Sequence, residues 1–138
     1  MTMLDTVCQW LESYDNWEDV IFVDLTEAGT GNSGIFPQGV QELSRRTDVL
    51  GNITTRNRLS FRIIRVTRAP ADQQAAWVLD FQNWVQQQSA TGKAPVFGDV
   101  PGLEKLWAEK GRLKNVSQTG TARYEVRLVA EFTKIYEA

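Results

Sequence analysis

Histidine is absent from these 138 residues, and cysteine occurs once, as Cys8. The first absence removes the usual general base near neutral pH and the commonest zinc ligand. Ser-His-Asp chemistry, Cys-His chemistry and most zinc sites are thereby excluded. Carboxylate-pair hydrolysis and carboxylate–magnesium sites survive, because they need only Asp and Glu. A lone cysteine excludes an internal disulfide and a thiolate cluster. No apolar run approaches the roughly 18 residues that a membrane helix needs. Met1 to Leu11 lacks the basic patch and long apolar stretch of a secretory signal. These absences predict a protein made and kept in a cytosol. What is present is ordinary for a globular chain, 42% apolar and 23% charged residues, so residues 1–138 are expected to fold as a single domain around one core.

Positive charge is also missing from the first third. Residues 1–44 hold eight acids (Asp5, Glu12, Asp15, Glu18, Asp19, Asp24, Glu27, Glu42) and neither Lys nor Arg. Residues 45–68 then hold seven arginines (Arg45, Arg46, Arg56, Arg58, Arg62, Arg65, Arg68) against Asp48 alone. The two blocks either neutralise each other within one chain, or form a charged subunit interface, or serve a polyanion site. If an interface, its candidate residues are Arg56, Arg58 and Arg62 facing Asp15, Glu18 and Asp19, because opposite charges steer association and fix its orientation.

The apolar periodicity gives the elements. Met3, Leu4, Val7, Cys8 and Leu11 recur at helical spacing, so residues 3–13 read as a short amphipathic helix with Asp5 in its first turn. Tyr14-Asp15-Asn16 reads as its stop. Val20 to Leu25 is a β-branched run and reads as a strand. Thr26 to Gly34 reads as a polar loop. In residues 35–50, Pro37 and Gly39 argue against a central strand, with Val40 to Leu43 as an edge at most. Thr54 to Thr67 is a long strand in which Leu59, Phe61 and Ile63 alternate with polar residues, and the consecutive Ile63-Ile64 suggests either a bulge or a strand buried on both faces near its end. Pro70 is placed to open a helix over 71–88, with Trp77, Val78, Phe81, Trp84 and Val85 on one stripe. Trp77 and Trp84 read as core, whereas Trp10, Trp17 and Trp107 fit either core or contact positions. Leu106 to Val116 reads as a strand interrupted by Gly111, followed by a turn at Thr119-Gly120. The last strand alternates Tyr124, Val126, Leu128, Ala130 and Phe132 with Arg123, Glu125, Arg127, Val129 and Glu131. The sum is an α+β fold: a mostly antiparallel sheet of four to five strands with two helices (about 3–13 and 71–88) packed on one face.

Candidate chemistry is sparse. Gly29 to Gly34 matches GxGxxG after a strand, but a phosphate site also needs a helix to begin there, and Ile35-Phe36-Pro37 cannot open one. Asp15, Glu18, Asp19 and Asp24 would make a magnesium or glycosidase cluster only if the fold converged them. Arg56, Arg58 and Arg62 share one strand face by parity, with Arg65 and Arg68 on the other. Phe61 has the wrong parity to give that basic face an aromatic platform for nucleic acid. No catalytic residue, metal ligand or cofactor is assigned, and no enzyme activity is expected.

The C-terminal half carries a family texture. Phe81, Trp84, Gln88, Gly92 and Pro95 form one spaced pattern, and Thr121-Ala122-Arg123-Tyr124 with Val126 forms another. With the opening helix, the Val20 strand and the arginine-rich strand in compatible order, the chain resembles the small minor capsid or tail-terminator-like proteins of tailed bacteriophages and prophages of Gram-positive bacteria. The resemblance spans most of the chain and is weakest over 26–50. It implies a virion structural protein that forms a hexameric ring with copies of itself, caps the tail tube protein and docks it to a head-connector or stopper protein. Head-completion and neck proteins are the neighbouring alternative. It also implies assembly in the bacterial host cytoplasm, no cofactor, no membrane and no specific nucleic-acid ligand. A nucleic-acid-binding module using the Arg45–Arg68 block is the alternative from another class, and a carboxylate hydrolase is a third.

Overall fold

A computed structural model of the chain describes residues 2–15, 17, 20–23, 32–68, 72–116 and 120–138. Among these, helix α1 spans Met3–Glu12 and α2 spans Asp72–Ala90. The strands are β1 (Val20–Val23), β2 (Asn32–Thr47), β3 (Ile53–Arg68), β4 (Lys105–Val116) and β5 (Thr121–Tyr136). They form one sheet in the order β1-β2-β3-β5-β4. Every neighbouring pair is antiparallel except β1 with β2. This is the expected α+β class. The expected strand Leu25 and helix-opening Pro70 lie outside the described residues, as do Asn16, Thr26 to Gly31 and Thr119.

Local chemistry explains the helix start. The Thr2 hydroxyl accepts from the Asp5 backbone N–H at 3.1 Å, and the Asp5 carboxylate accepts from the Thr2 N–H at 3.1 Å. Two otherwise orphaned amides are satisfied reciprocally. The face α1 buries consists of Val7, Trp10 and Leu11.

Period-two alternation in β3 and β5 builds the floor of the core. Leu59 faces Ala130, Phe61 faces Leu128 and Ile63 faces Val126 across the ladder, and all six are buried. Both helices lie on this floor, with Phe81 and Val85 of α2 fully buried beside Leu11 of α1. Aromatic rings fill the seam between the helices. Trp10 stacks on Trp84 with centroids 4.7 Å apart, Tyr14 stacks on Trp84 at 4.6 Å, and Phe81 stacks on Trp77 at 5.4 Å. Such pairs add about 0.5–1.5 kcal/mol each beyond the area they bury. The ambiguous Trp10 and Trp17 turn out to be the buried ones, while Trp77 and Trp84 are only half-buried at the outer side of the seam.

Two glycines mark close approaches. A Cβ on Gly111 would lie 2.3 Å from Val78 Cγ1 and 2.5 Å from Gln82 Oε1, so the expected strand interruption is where α2 sits down on β4. A Cβ on Gly98 would meet the Thr133 carbonyl oxygen at 2.3 Å. That tight crossing lets the 91–104 connection seal the far end of the core with Phe97 against Phe132.

The main correction concerns residues 32–47. Ser33 and Gly34, read as loop, are buried in β2, and the strand then runs on through the segment read as at most an edge. Pro37 and Gly39 are tolerated because the β2–β3 register shifts between Pro37 and Val40, and Gly39 takes φ +94° there. β1 pairs only as far as Ile35. Beyond it the outer edge of β2 has no partner among the described residues, so a residue without an N–H costs no ladder bond. Of the GxGxxG stretch, Gly29 to Gly31 lie outside the described residues, and Asn32 to Gly34 belong to β2.

Candidate functional site

The even-numbered residues of β3 and odd-numbered residues of β5 populate the sheet face opposite the helices, where Ile64, Val66 and Val129 are buried and a set of charged side chains is part-exposed. Arg58 lies opposite Glu131 and donates Nε and Nη2 to one carboxylate oxygen at 3.1 and 2.8 Å. Arg56 reaches the same carboxylate at 3.7 Å and donates to the Thr133 hydroxyl at 3.0 Å. Arg62 stands 3.6 Å from Glu125, with its guanidinium 5.0 Å from the centre of the Phe36 ring. Arg112 of β4 shares Glu125 at 3.6 Å, and Arg127 lies 3.7 Å from Glu109. The parity argument therefore holds: Arg56, Arg58 and Arg62 share this face, whereas Arg65 points to the helix layer, 4.1 Å over the Trp77 ring.

Among the described residues, the carboxylates that meet these arginines come from β4 and β5. Among the described residues the one pair joining the two charge blocks is Glu42 with Arg45 at 2.8 Å, at the surface. Asp15 is exposed, and Glu18 and Asp19 lie outside the described residues. Sequence reasoning overlooked Glu125 and Glu131, although their parity on β5 is the polar parity. Laying the polar faces of the two longest alternating strands against each other would have paired them.

A second feature lies at the end of the sheet where β2 and β3 join. Every residue from Pro37 to Gly51 is exposed. Val49 is 102% and Leu50 76% exposed at the turn, and Val40 and Leu43 are exposed along β2. Ile135 and Tyr136 of β5, opposite Thr54 and Ile53, are exposed at the same end. The turn itself is well made. The Asp48 carboxylate accepts from the Leu50 and Asn52 backbone N–H groups at 2.9 and 3.0 Å, and Gly51 takes φ +88°. These backbone bonds hold the Asp48 carboxyl below the usual aspartate range. The result is a three-stranded tongue of ordered backbone with unburied apolar tips.

Among the described residues no group of His, Cys, Asp and Glu could hold a metal ion. Burial pushes the Cys8 thiol up, with Glu12 and Asp5 adding to it, which disfavours the nucleophilic thiolate. Asp5 and Glu12 border an open depression on α1, but Asp5 is engaged by the Thr2 backbone, which lowers its pKa. No helix among the described residues is long and apolar enough to cross a membrane.

Compared with known proteins, the chain matches no family model and no curated sequence. What the fold defines is therefore a class: an α+β protein with one dry, helix-covered sheet face, a second face carrying part-exposed charged side chains, and a protruding tongue.

Proposed function

We propose that this chain is a structural subunit of a tailed bacteriophage or prophage, a tail-terminator or minor capsid protein that works by forming a ring with copies of itself. The observation that carries the reading is the tongue. Apolar side chains at Val40, Leu43, Val49, Leu50, Ile135 and Tyr136 are exposed at one end of an ordered sheet, and large exposed apolar patches mark association surfaces.

The occupant we assign to the tongue is a second copy of this chain. Arg45 and Arg46 are exposed beside the tips. The exposed side of α1 offers Asp5 and Glu12, followed by Asp15, within a region that has no basic residue. A basic, apolar-tipped tongue meeting the acidic side of the next copy is a heterologous contact, which closes into a ring when the rotation allows. In this geometry the leading interface cation is the exposed Arg46, because Arg56, Arg58 and Arg62 are engaged by Glu131 and Glu125 and Arg45 by Glu42. Such a ring would cap the tail tube protein on one side and face a head connector on the other. A head-completion or neck role would use the same contact.

The test is light scattering over a range of concentrations on the native chain and on Val49→Asp with Leu50→Asp. Concentration-dependent rings in the native protein and monomers in the variant are expected. Equal masses for the two would remove the tongue from the interface.

A further inference from the structure

On the face opposite the helices, the irregular stretches of β2 and β4 rise on either side of β3 and β5. Gln38, next to the Gly39 bulge, and Lys110, held at φ +57° in β4, line the same cleft of about 450 Å³. With its smaller extension the cleft is bordered by five cations, Arg58, Arg62, Lys110, Arg112 and Arg127, and by one carboxylate, Glu125. Glu131 and Glu109, which engage Arg58 and Arg127, are outside that lining.

The strand register makes the imbalance specific. Along β3–β5 and β4–β5, charged residues that face each other are of opposite sign: Arg58 with Glu131, Lys105 with Glu131, Glu109 with Arg127, Arg112 with Glu125. The exception is Arg62 directly opposite Arg127. Like charges opposed across a ladder are destabilising. Neither Arg62 Nε nor Arg127 Nε, both inaccessible to solvent, has a hydrogen-bond partner among the described residues. The Arg62 and Arg127 side chains are nonetheless 36% and 35% exposed, so the area they offer to a ligand belongs to parts of each side chain other than Nε. Lys110 has no ion pair among the described residues, although its left-handed backbone places it at the rim.

We propose that this cleft binds a phosphate-class oxyanion, seated between Arg62 and Arg127 and closed by Lys110. Multiple acceptor oxygens and a charge near two match a site with several convergent N–H donors and excess positive charge. The Ser60 hydroxyl, which accepts from Arg127 at 3.1 Å, fixes that guanidinium in place. The phosphoryl oxygens come from either a free phosphate or a nucleic-acid phosphodiester. The cleft borders the root of the tongue, because Val40 and Gln41 line it, whereas Arg62 and Arg127, which seat the anion, lie away from the tongue tips. Arg62 is nine residues up β3 from Ile53 at the tongue, about 30 Å at strand rise.

The experiment is calorimetric titration of the full chain with inorganic phosphate at constant ionic strength, beside Lys110→Asn and Arg127→Gln. Asn tolerates the left-handed conformation, so Lys110→Asn removes charge without backbone strain. The native chain is expected to bind phosphate, and each variant to bind about tenfold more weakly, the usual scale for one charged hydrogen bond. A labelled single-stranded oligonucleotide, followed by anisotropy against salt, separates the sources. Binding that is lost in the same variants, with a salt slope smaller by about 0.7 per lost contact, assigns a phosphodiester. Phosphate binding with no oligonucleotide binding assigns the free anion. If the native chain binds neither probe, or the variants bind as it does, the site does not exist.

Discussion

The two faces of this sheet are made from the same strands yet held by different physics. On one, Leu59, Phe61 and Ile63 of β3 meet α1, α2 and a chain of stacked rings, and water is excluded. On the other, residues one position away in the same strand are arginines that share carboxylates half in solvent. The first face can account for the stability of the domain, because apolar burial contributes about 25 cal/mol per Å² while half-exposed ion pairs contribute about 0–1 kcal/mol each. The second face and the tongue beyond it are then free to vary with function. What the contrast teaches is that aromatic patterning in this chain builds the helix-covered face, while charge patterning builds cross-strand pairs on the other.

That division is breakable by substitution, and the effects should rank accordingly. Phe81→Ala removes a fully buried ring that contacts Tyr14, Trp17, Trp77 and Trp84. It should cost about 3–5 kcal/mol, measured by urea unfolding. Gly98→Ala comes next. Its Cβ would strike backbone at Thr133 rather than a movable side chain, and overpacking of this kind costs about 1–3 kcal/mol. Arg58→Gln breaks a half-exposed pair with Glu131 and should change stability by no more than about 1 kcal/mol. A loss as large as that of Phe81→Ala would erase the distinction between the faces.

The smallest effect concerns pH. Asp48 at the tongue turn and Asp99, which accepts from the Ile135 N–H at 2.8 Å and lies 3.5 Å from Lys134, both have carboxyl pKa values below the ordinary one. For a group depressed in the folded state, the stabilisation is complete above the unfolded pKa, about 3.9. It disappears as pH falls through the lower folded value. Amide hydrogen exchange should therefore show the 48–52 turn and the 134–136 segment loosening below about pH 4, ahead of the helix face. Uniform loosening of both would argue against a locally tuned tongue.

Much of this architecture was legible in the residues. Alternation over β3 and β5 is clean because each is half-buried, and the stripe of α2 is clear because only one side is packed. β2 was not legible, since Pro37, Gly39 and a run of exposed polar residues lack any period. Its pairing is imposed by β3, which supplies a register that accommodates two shifts. Trp10 and Trp17 could not be ranked against Trp77 and Trp84, because burial in the seam depends on how the two helices lie together. The arginine face is legible from parity, whereas Glu131, directly across from Arg58, and Glu125, diagonal to Arg62, become legible only once the register of β3 on β5 is known. The cleft residues Lys110 and Arg127 were invisible for a related reason: they converge only through the bulges of β2 and β4.

The central claim, that this chain acts by self-assembly through its tongue, is tested most directly by native mass spectrometry of the unmodified protein at rising concentration. A single closed multimer, the hexamer implied by the phage resemblance, is the predicted result. A monomer at every concentration, with the tongue tips still accessible to solvent labelling, would contradict it.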